Sequence, residues 1–276
     1  QSGFTAYGLY AQSASGLVID HNRLNQPGLL TAGSFTGAYF SGAQQSDFKF
    51  NDVNSTGTAF TNAYMIQLAG LSVTIRDNVF FSSFGVTGSS ASVIADALSG
   101  IGSDFNNWGS SNSAVTLLWG GIAFPFSSGW AGNDANSISA NPLWFNPSAG
   151  VEDFHPMTQY ANGRWYNGSF SATDGATSLT LDQGAPAEGV NPEPAPNGGF
   201  ANLGSYGLTE QASMSYGVAT LLAPLIGTST STPVMVWSTL TSGNSRLQLA
   251  QNSGFTSIIA DSTTANTFYA STNTLS

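Results

Sequence analysis

The octapeptide Leu17-Val18-Ile19-Asp20-His21-Asn22-Arg23-Leu24 has a counterpart in Val73-Thr74-Ile75-Arg76-Asp77-Asn78-Val79-Phe80. Set one above the other, Leu17 falls on Val73, Ile19 on Ile75, Asn22 on Asn78 and Leu24 on Phe80. Two degenerate copies, Phe48-Lys49-Phe50 and Ser103-Asp104-Phe105, fit the same frame. The copies then begin at 17, 48, 73 and 103, spaced by 31, 25 and 30 residues. Alternating strand chemistry at such an interval, with Gly, Ser and Asn between copies, marks a solenoid. One copy is too short to bury its own apolar face and must stack on the next.

Residues 1 to about 110 read as short strands separated by small polar turns, such as Asn25-Gln26-Pro27-Gly28 and Asn54-Ser55-Thr56-Gly57. A parallel β-helix meets this pattern, because strands of successive coils stack about 4.8 Å apart and inward residues form columns. The expected columns are Leu17, Phe48 and Val73, and beside them Ile19, Phe50 and Ile75. Asn22 is expected over Asn78 at a turn, where Asn tolerates left-handed backbone and hydrogen-bonds along the stack. No amphipathic helix precedes the first coil, so strand edges near Gly3 to Tyr10 should be open. Further sequence or a neighbouring molecule is expected to cover them.

From about 111 to 215 the repeat blurs into aromatic-rich loops expected to wrap the coils. Trp108, Trp119, Trp130, Trp144 and Trp165 fall in or near this stretch and read as core and loop packing rather than a ligand platform. Residues 216–232 read as a linker, ending in the Ser/Thr run before Pro233. Alternation returns in 233–276 through Val234, Val236 and Trp237, then Leu247 and Leu249, then Phe255 and Ile258, then Phe268 and Tyr269. These are expected to be four strands of a β-sandwich-like module. The expected fold is all-β: a parallel β-helix over 1–215, a linker, and a short sandwich-like segment.

Composition narrows the partners. Only 7% of residues are charged, against roughly 25% in ordinary domains. Fifteen acids against five bases give a net charge of −10, which disfavours nucleic acid and anionic membranes. With no cysteine there is no disulfide, thiolate nucleophile or Cys-ligated metal. The apolar stretch from Val218 to Ile226 is interrupted by Thr220 and Pro224 and is too short for a membrane span. Scarce Lys, abundant Ser, Thr, Asn and Gly, and Gln1 in place of Met suggest a processed or excised part of an extracellular or cell-surface protein.

Several segments carry a family pattern: Asn141-Pro142-Leu143-Trp144, Glu152-Asp153-Phe154-His155, Asp182-Gln183-Gly184-Ala185-Pro186, Glu193-Pro194-Ala195-Pro196-Asn197-Gly198-Gly199, and Asn202-Leu203-Gly204-Ser205-Tyr206-Gly207-Leu208-Thr209-Glu210-Gln211-Ala212-Ser213. With the coils, they make residues 1–215 resemble the secreted bacterial right-handed parallel β-helix proteins, a pectate-lyase-like group. The resemblance implies a right-handed, secreted β-helix, often within a larger surface protein and often without assigned chemistry. Ala185, Phe200 and Leu208 depart from the pattern at positions where the family has Asp, Arg and Gly. The tail, with Trp237, Leu247-Gln248-Leu249 and Phe255, resembles the first half of a fibronectin type III domain. Half a sandwich cannot bury its core alone.

Candidate chemistry is sparse. Asp52, Asp77 and Asp104, with Arg76, could line a groove beside exposed Trp108 or Trp119, as in a polysaccharide lyase or hydrolase. The preferred reading of the same acids is ordinary turn capping. Asp20 and Asp77 are candidate calcium ligands, calcium being the one cofactor the acids would admit. His21 reads as a lone turn histidine and His155 as a structural hydrogen-bonder; two distant histidines make no zinc site. Sequons at Asn54 and Asn167 allow glycosylation. The functional expectation is a non-catalytic structural or adhesive solenoid that forms homo-oligomers or filaments, or docks flanking domains. Assembly would run through Gly3, Phe4 and Tyr7 at one end and Val234, Val236, Trp237, Phe255 and Phe268 at the other. The alternative is a carbohydrate-active or glycan-binding protein.

Overall fold

The computed structural model describes residues 5–26, 34–56, 62–69, 72–82, 92–95, 100–111, 116–119, 122–125 and 133–215, and in the tail 221–223, 234–237, 245–250, 258–264 and 268–270. Two compact units meet in sequence at Ser215 and Tyr216. Among the described residues the chain is all-β, apart from a 3₁₀ turn at Pro186–Glu188.

In the first unit, strands recur in threes: β1 (Thr5–Gln12), β2 (Val18–Asp20), β3 (Arg23–Gln26); β4 (Ser34–Ser41), β5 (Ser46–Lys49), β6 (Asp52–Ser55); β7 (Asn62–Ala69), β8 (Val73–Arg76), β9 (Val79–Ser82); β10 (Ser92–Ala95), β11 (Gly102–Asp104), β12 (Asn107–Ser110). Each strand pairs in parallel with the one three places later. Three sheets result: β1-β4-β7-β10, β2-β5-β8-β11 and β3-β6-β9-β12. The first continues through β13 (Thr116–Trp119) to β14 (Ile122–Pro125), which turns back antiparallel.

Alternation explains the second sheet. Ser46, Phe48, Val73 and Ile75 are buried, while Asp47, Lys49, Thr74 and Arg76 alternate with them. The register corrects the expected columns. Ile19 lies opposite Phe48, Phe48 opposite Ile75, and Ile75 opposite Ser103. Ser46 lies opposite Val73, in the place expected of Phe48. The segment Phe48-Lys49-Phe50 permits two phases, and Phe50 is not in a strand at all.

Phe50 belongs to a corner. His21, Phe50, Asp77 and Phe105 occupy the same place in successive repeats, each with φ between 50° and 58°. The left-handed residue is thus the one before the asparagine, not the asparagine itself. Asn22, Asn51, Asn78 and Asn106 follow and form a ladder. The backbone N–H of Asn22 donates to Asn51 Oδ1, that of Asn51 to Asn78 Oδ1, and that of Asn78 to Asn106 Oδ1, at 2.9 to 3.1 Å. Each Nδ2 also donates to the carbonyl two residues back. Asn51 is therefore a member that the alignment of Asn22 with Asn78 skipped.

The core runs between the sheets. Phe40 meets Phe48 edge-on, and Phe80 stacks on Trp108 at 4.0 Å between centroids. Trp108 donates its indole N–H to Asp134. Strand β4 passes so close to its neighbours that a Cβ on Gly37 would clash with both the Met65 carbonyl oxygen and Val53 Cγ1. Both neighbours are buried. Gly37→Ala is expected to destabilise the unit by about 1–3 kcal/mol, read as a lower denaturant midpoint at unchanged m-value.

Residues 133–215 are mostly loop, with two antiparallel pairs: β15 (Trp144–Asn146) with β16 (Asp153–Pro156), and β17 (Arg164–Tyr166) with β18 (Ser169–Ala172). Their contacts include the third sheet, where the Trp108 N–H donates to the Ile138 carbonyl, and the left-handed corner. Gly207 O meets His21 Nε2 at 2.9 Å, and the Gly204 N–H donates to the Asp77 carbonyl. The second unit holds β19 (Leu221–Ala223), β20 (Val234–Trp237), β21 (Ser245–Ala250), β22 (Ile258–Thr264) and β23 (Phe268–Ala270). They form an antiparallel sheet β19-β20-β23 and a β21–β22 pair. Strand β19 thus lies inside the stretch expected to be linker.

Candidate functional site

Buried carboxylates bind the loop segment to the corner. Asp52, at the start of β6, is 1% exposed. It accepts the Trp144 indole N–H at 3.1 Å and the Ser205 backbone N–H at 2.9 Å. Burial pushes its carboxyl up to about 7, against the opposing pull of Ser205, Trp144 and Arg23. Asp77 accepts the Ala185 N–H at 2.6 Å; burial raises it to about 6. Glu193 joins two turns of the loop by accepting the Asn202 and Leu208 N–H groups, both at 2.8 Å. Burial raises it to about 7.

These placements correct the expected outward carboxylate groove. Asp52 and Asp77 face packed loop, and Trp108 is 1% exposed. Asp104 is held by Asn136, through its backbone and side-chain N–H groups at 2.8 Å. Arg76 and Lys49 are register neighbours, and Glu188 reaches both, at 2.7 Å and 3.7 Å. Asp20 is exposed beside His21, apart from buried Asp77. Among the described residues no group of three or more His, Cys, Asp or Glu side chains is placed to hold a metal. Asn54 is buried with its Nδ2 donating to Asn25 at 2.9 Å, so the folded sequon is inaccessible; Asn167 is exposed. Tyr7 is 44% exposed and clusters with Tyr10 and Tyr39. Gly3, Phe4 and Phe255 lie outside the described residues, as do the side chains of Trp119, Val234, Val236, Trp237 and Phe268.

Concave surface lies instead where β3, β15–β17 and the loop around Tyr206 converge. Two hollows of about 440 and 550 Å³ share Trp165, Tyr206 and Gln211. The first adds His21, Arg23, Ser205, Thr209 and Glu210. The second adds Phe145, Asn146, Glu152, His155, Tyr166 and Asn167, among others.

Tyr206, common to both, is packed on two sides. Tyr206 stacks on His155 at 3.4 Å between centroids, and the Arg23 guanidinium lies 4.5 Å from the ring centre. Arg23 also donates to the Tyr206 hydroxyl at 3.0 Å. Burial raises the Tyr206 hydroxyl, with Arg23 opposing. His155 Nδ1 lies 2.6 Å from Asp153 Oδ1. Burial alone would raise Asp153, but bonds from His155 and the Arg164 charge hold it below the usual range. Arg164, 3% exposed, forms a fork on Asp174 and sits 3.6 Å from the centre of the Phe145 ring. His155 Nε2 is buried and finds no hydrogen-bond partner among the described residues.

The sequence flagged Trp165 as a packing residue and passed over Arg23, Tyr206 and Gln211 as site members. The alternation in Glu152-Asp153-Phe154-His155, which turns Asp153 and His155 to one face of β16, was the available signal. The arrangement defines an all-β protein of stacked parallel sheets with a loop-built cleft on one corner. No protein-family model matches the chain, and neither a curated protein nor a solved structure matches it.

Proposed function

We propose that residues 1–215 form a right-handed parallel β-helix serving as a non-catalytic structural or adhesive element outside the cell, and that it assembles by strand addition at its first repeat. One observation carries the reading. Among the described residues, β1, β2 and β3 have neighbours on one side only, so their outer edges offer free N–H and C=O groups. Leu9, Leu17, Ile19 and Leu24 are partly buried against the core, whereas Ala38, Phe48 and Val53, the register partners of Leu9, Ile19 and Leu24, are at 0% exposure. A further layer of strands would complete both the ladder and the columns. The second unit, a β-sandwich-like module on this reading, supplies the other contact.

Sedimentation and electron microscopy of the 276-residue chain test the proposal. Concentration-dependent oligomers or fibres are expected, dispersed by the edge substitution Ile19→Lys. A monodisperse monomer at high concentration, or fibres indifferent to Ile19→Lys, overturns it.

A further inference from the structure

We propose that the double cleft beside Tyr206 binds a neutral carbohydrate, a chain of hexopyranose units lying across Trp165. This goes beyond the scaffold role and does not depend on assembly.

The walls carry the two chemistries that a sugar ring needs. Tyr166 and Phe145 are 45% and 42% exposed although neither is in a core, and Trp165 lines both hollows. Aromatic surface of this kind packs against the C–H face of a pyranose. Gln211 and Asn167, both exposed, line the larger hollow with these rings. Each amide supplies a donor and an acceptor, which matches a vicinal diol.

Tyr206 does not serve as a stacking platform, because its faces are taken by His155 and Arg23.

Charge decides between neutral and acidic sugars. Glu152, Asp153 and Glu210 line the hollows, and the chain carries a net charge of −10. Arg164 is neutralised by Asp174 and Asp153, which leaves Arg23, bonded to the neutral Tyr206 hydroxyl, as the one base facing these three carboxylates among the described lining residues. A polyuronate or sulfated chain would therefore meet more like charge than opposite charge. The two hollows together exceed the space of one sugar and share Trp165 in their lining, which favours an oligomer over a monosaccharide.

Affinity electrophoresis of the 276-residue chain through gels containing β-glucan, galactomannan or glucomannan tests the proposal, with polygalacturonate as the acidic arm. Retardation by at least one neutral polymer and none by polygalacturonate is expected. Tyr166→Ala and Gln211→Ala, both at exposed positions, should weaken that binding at least tenfold while the melting temperature stays unchanged. Three results overturn the inference: no retardation by any neutral polymer, variants that bind like the parent, or retardation by polygalacturonate alone. Sedimentation of the same samples keeps the outcome separate from that of the assembly.

Discussion

Asn78→Ala is expected to destabilise the first unit by about 3–5 kcal/mol, while Asn22→Ala costs under about 1 kcal/mol. The two residues look equivalent in sequence. Asn78 is at 0% exposure, and its Oδ1 accepts both the backbone N–H and the Nδ2 of Asn51. Its Nδ2 donates to the carbonyls of Phe48 and Arg76 and to Asn106 Oδ1. Truncation leaves several buried groups without partners, each costing about 1–3 kcal/mol. Asn22 is exposed at the open edge, where water replaces what is lost. Chemical denaturation of both variants checks the contrast. Equal losses would show that the ladder does not carry the corner.

The first unit is also expected to be more stable in mild acid than at neutral pH. Asp52 and Glu193 rise to about 7 on folding, and Asp77 to about 6, each because burial penalises the charge. Folding therefore favours their protonated forms. That stabilisation is full below the unfolded values near 4 and is lost as pH climbs through 6 and 7. A tenfold difference in proton affinity between the folded and unfolded chain is worth about 1.4 kcal/mol. Three such groups are therefore enough to lower the melting temperature by on the order of 10 °C between pH 5 and pH 8. Asp153, held below its usual range, acts in the opposite sense and limits stability only as pH falls toward its own lowered value. Glu193→Gln preserves an oxygen for the Asn202 and Leu208 N–H groups. It should flatten the profile and raise the melting temperature at pH 8. A parent profile that rises from pH 5 to 8 would overturn this account.

Much of the scaffold is legible in the chain itself. Polar and apolar residues alternate through Val73 to Arg76, and burial alternates both there and through Ser46 to Lys49 in the parallel sheets. The weaker copies fall two residues out of register. Phe48 and Phe50 are chemically alike, and a period-2 pattern is satisfied by either phase. The left-handed φ of Phe50 chooses between them. The cleft is far less visible, since its members lie between residues 21 and 211. They meet only because the loop segment folds back along the corner.

The sequence by itself determined the strand chemistry, the repeat and the low charge, because these follow from local alternation and composition. Tertiary structure alone decided what Asp52 and Asp77 are. Their immediate neighbours along the chain read as those of surface acids or turn caps. A loop residue more than a hundred positions downstream bonds Asp77, and another more than ninety downstream bonds Asp52, where both acids are buried. Burial is a property of what returns to cover a residue, and no window along the chain contains it.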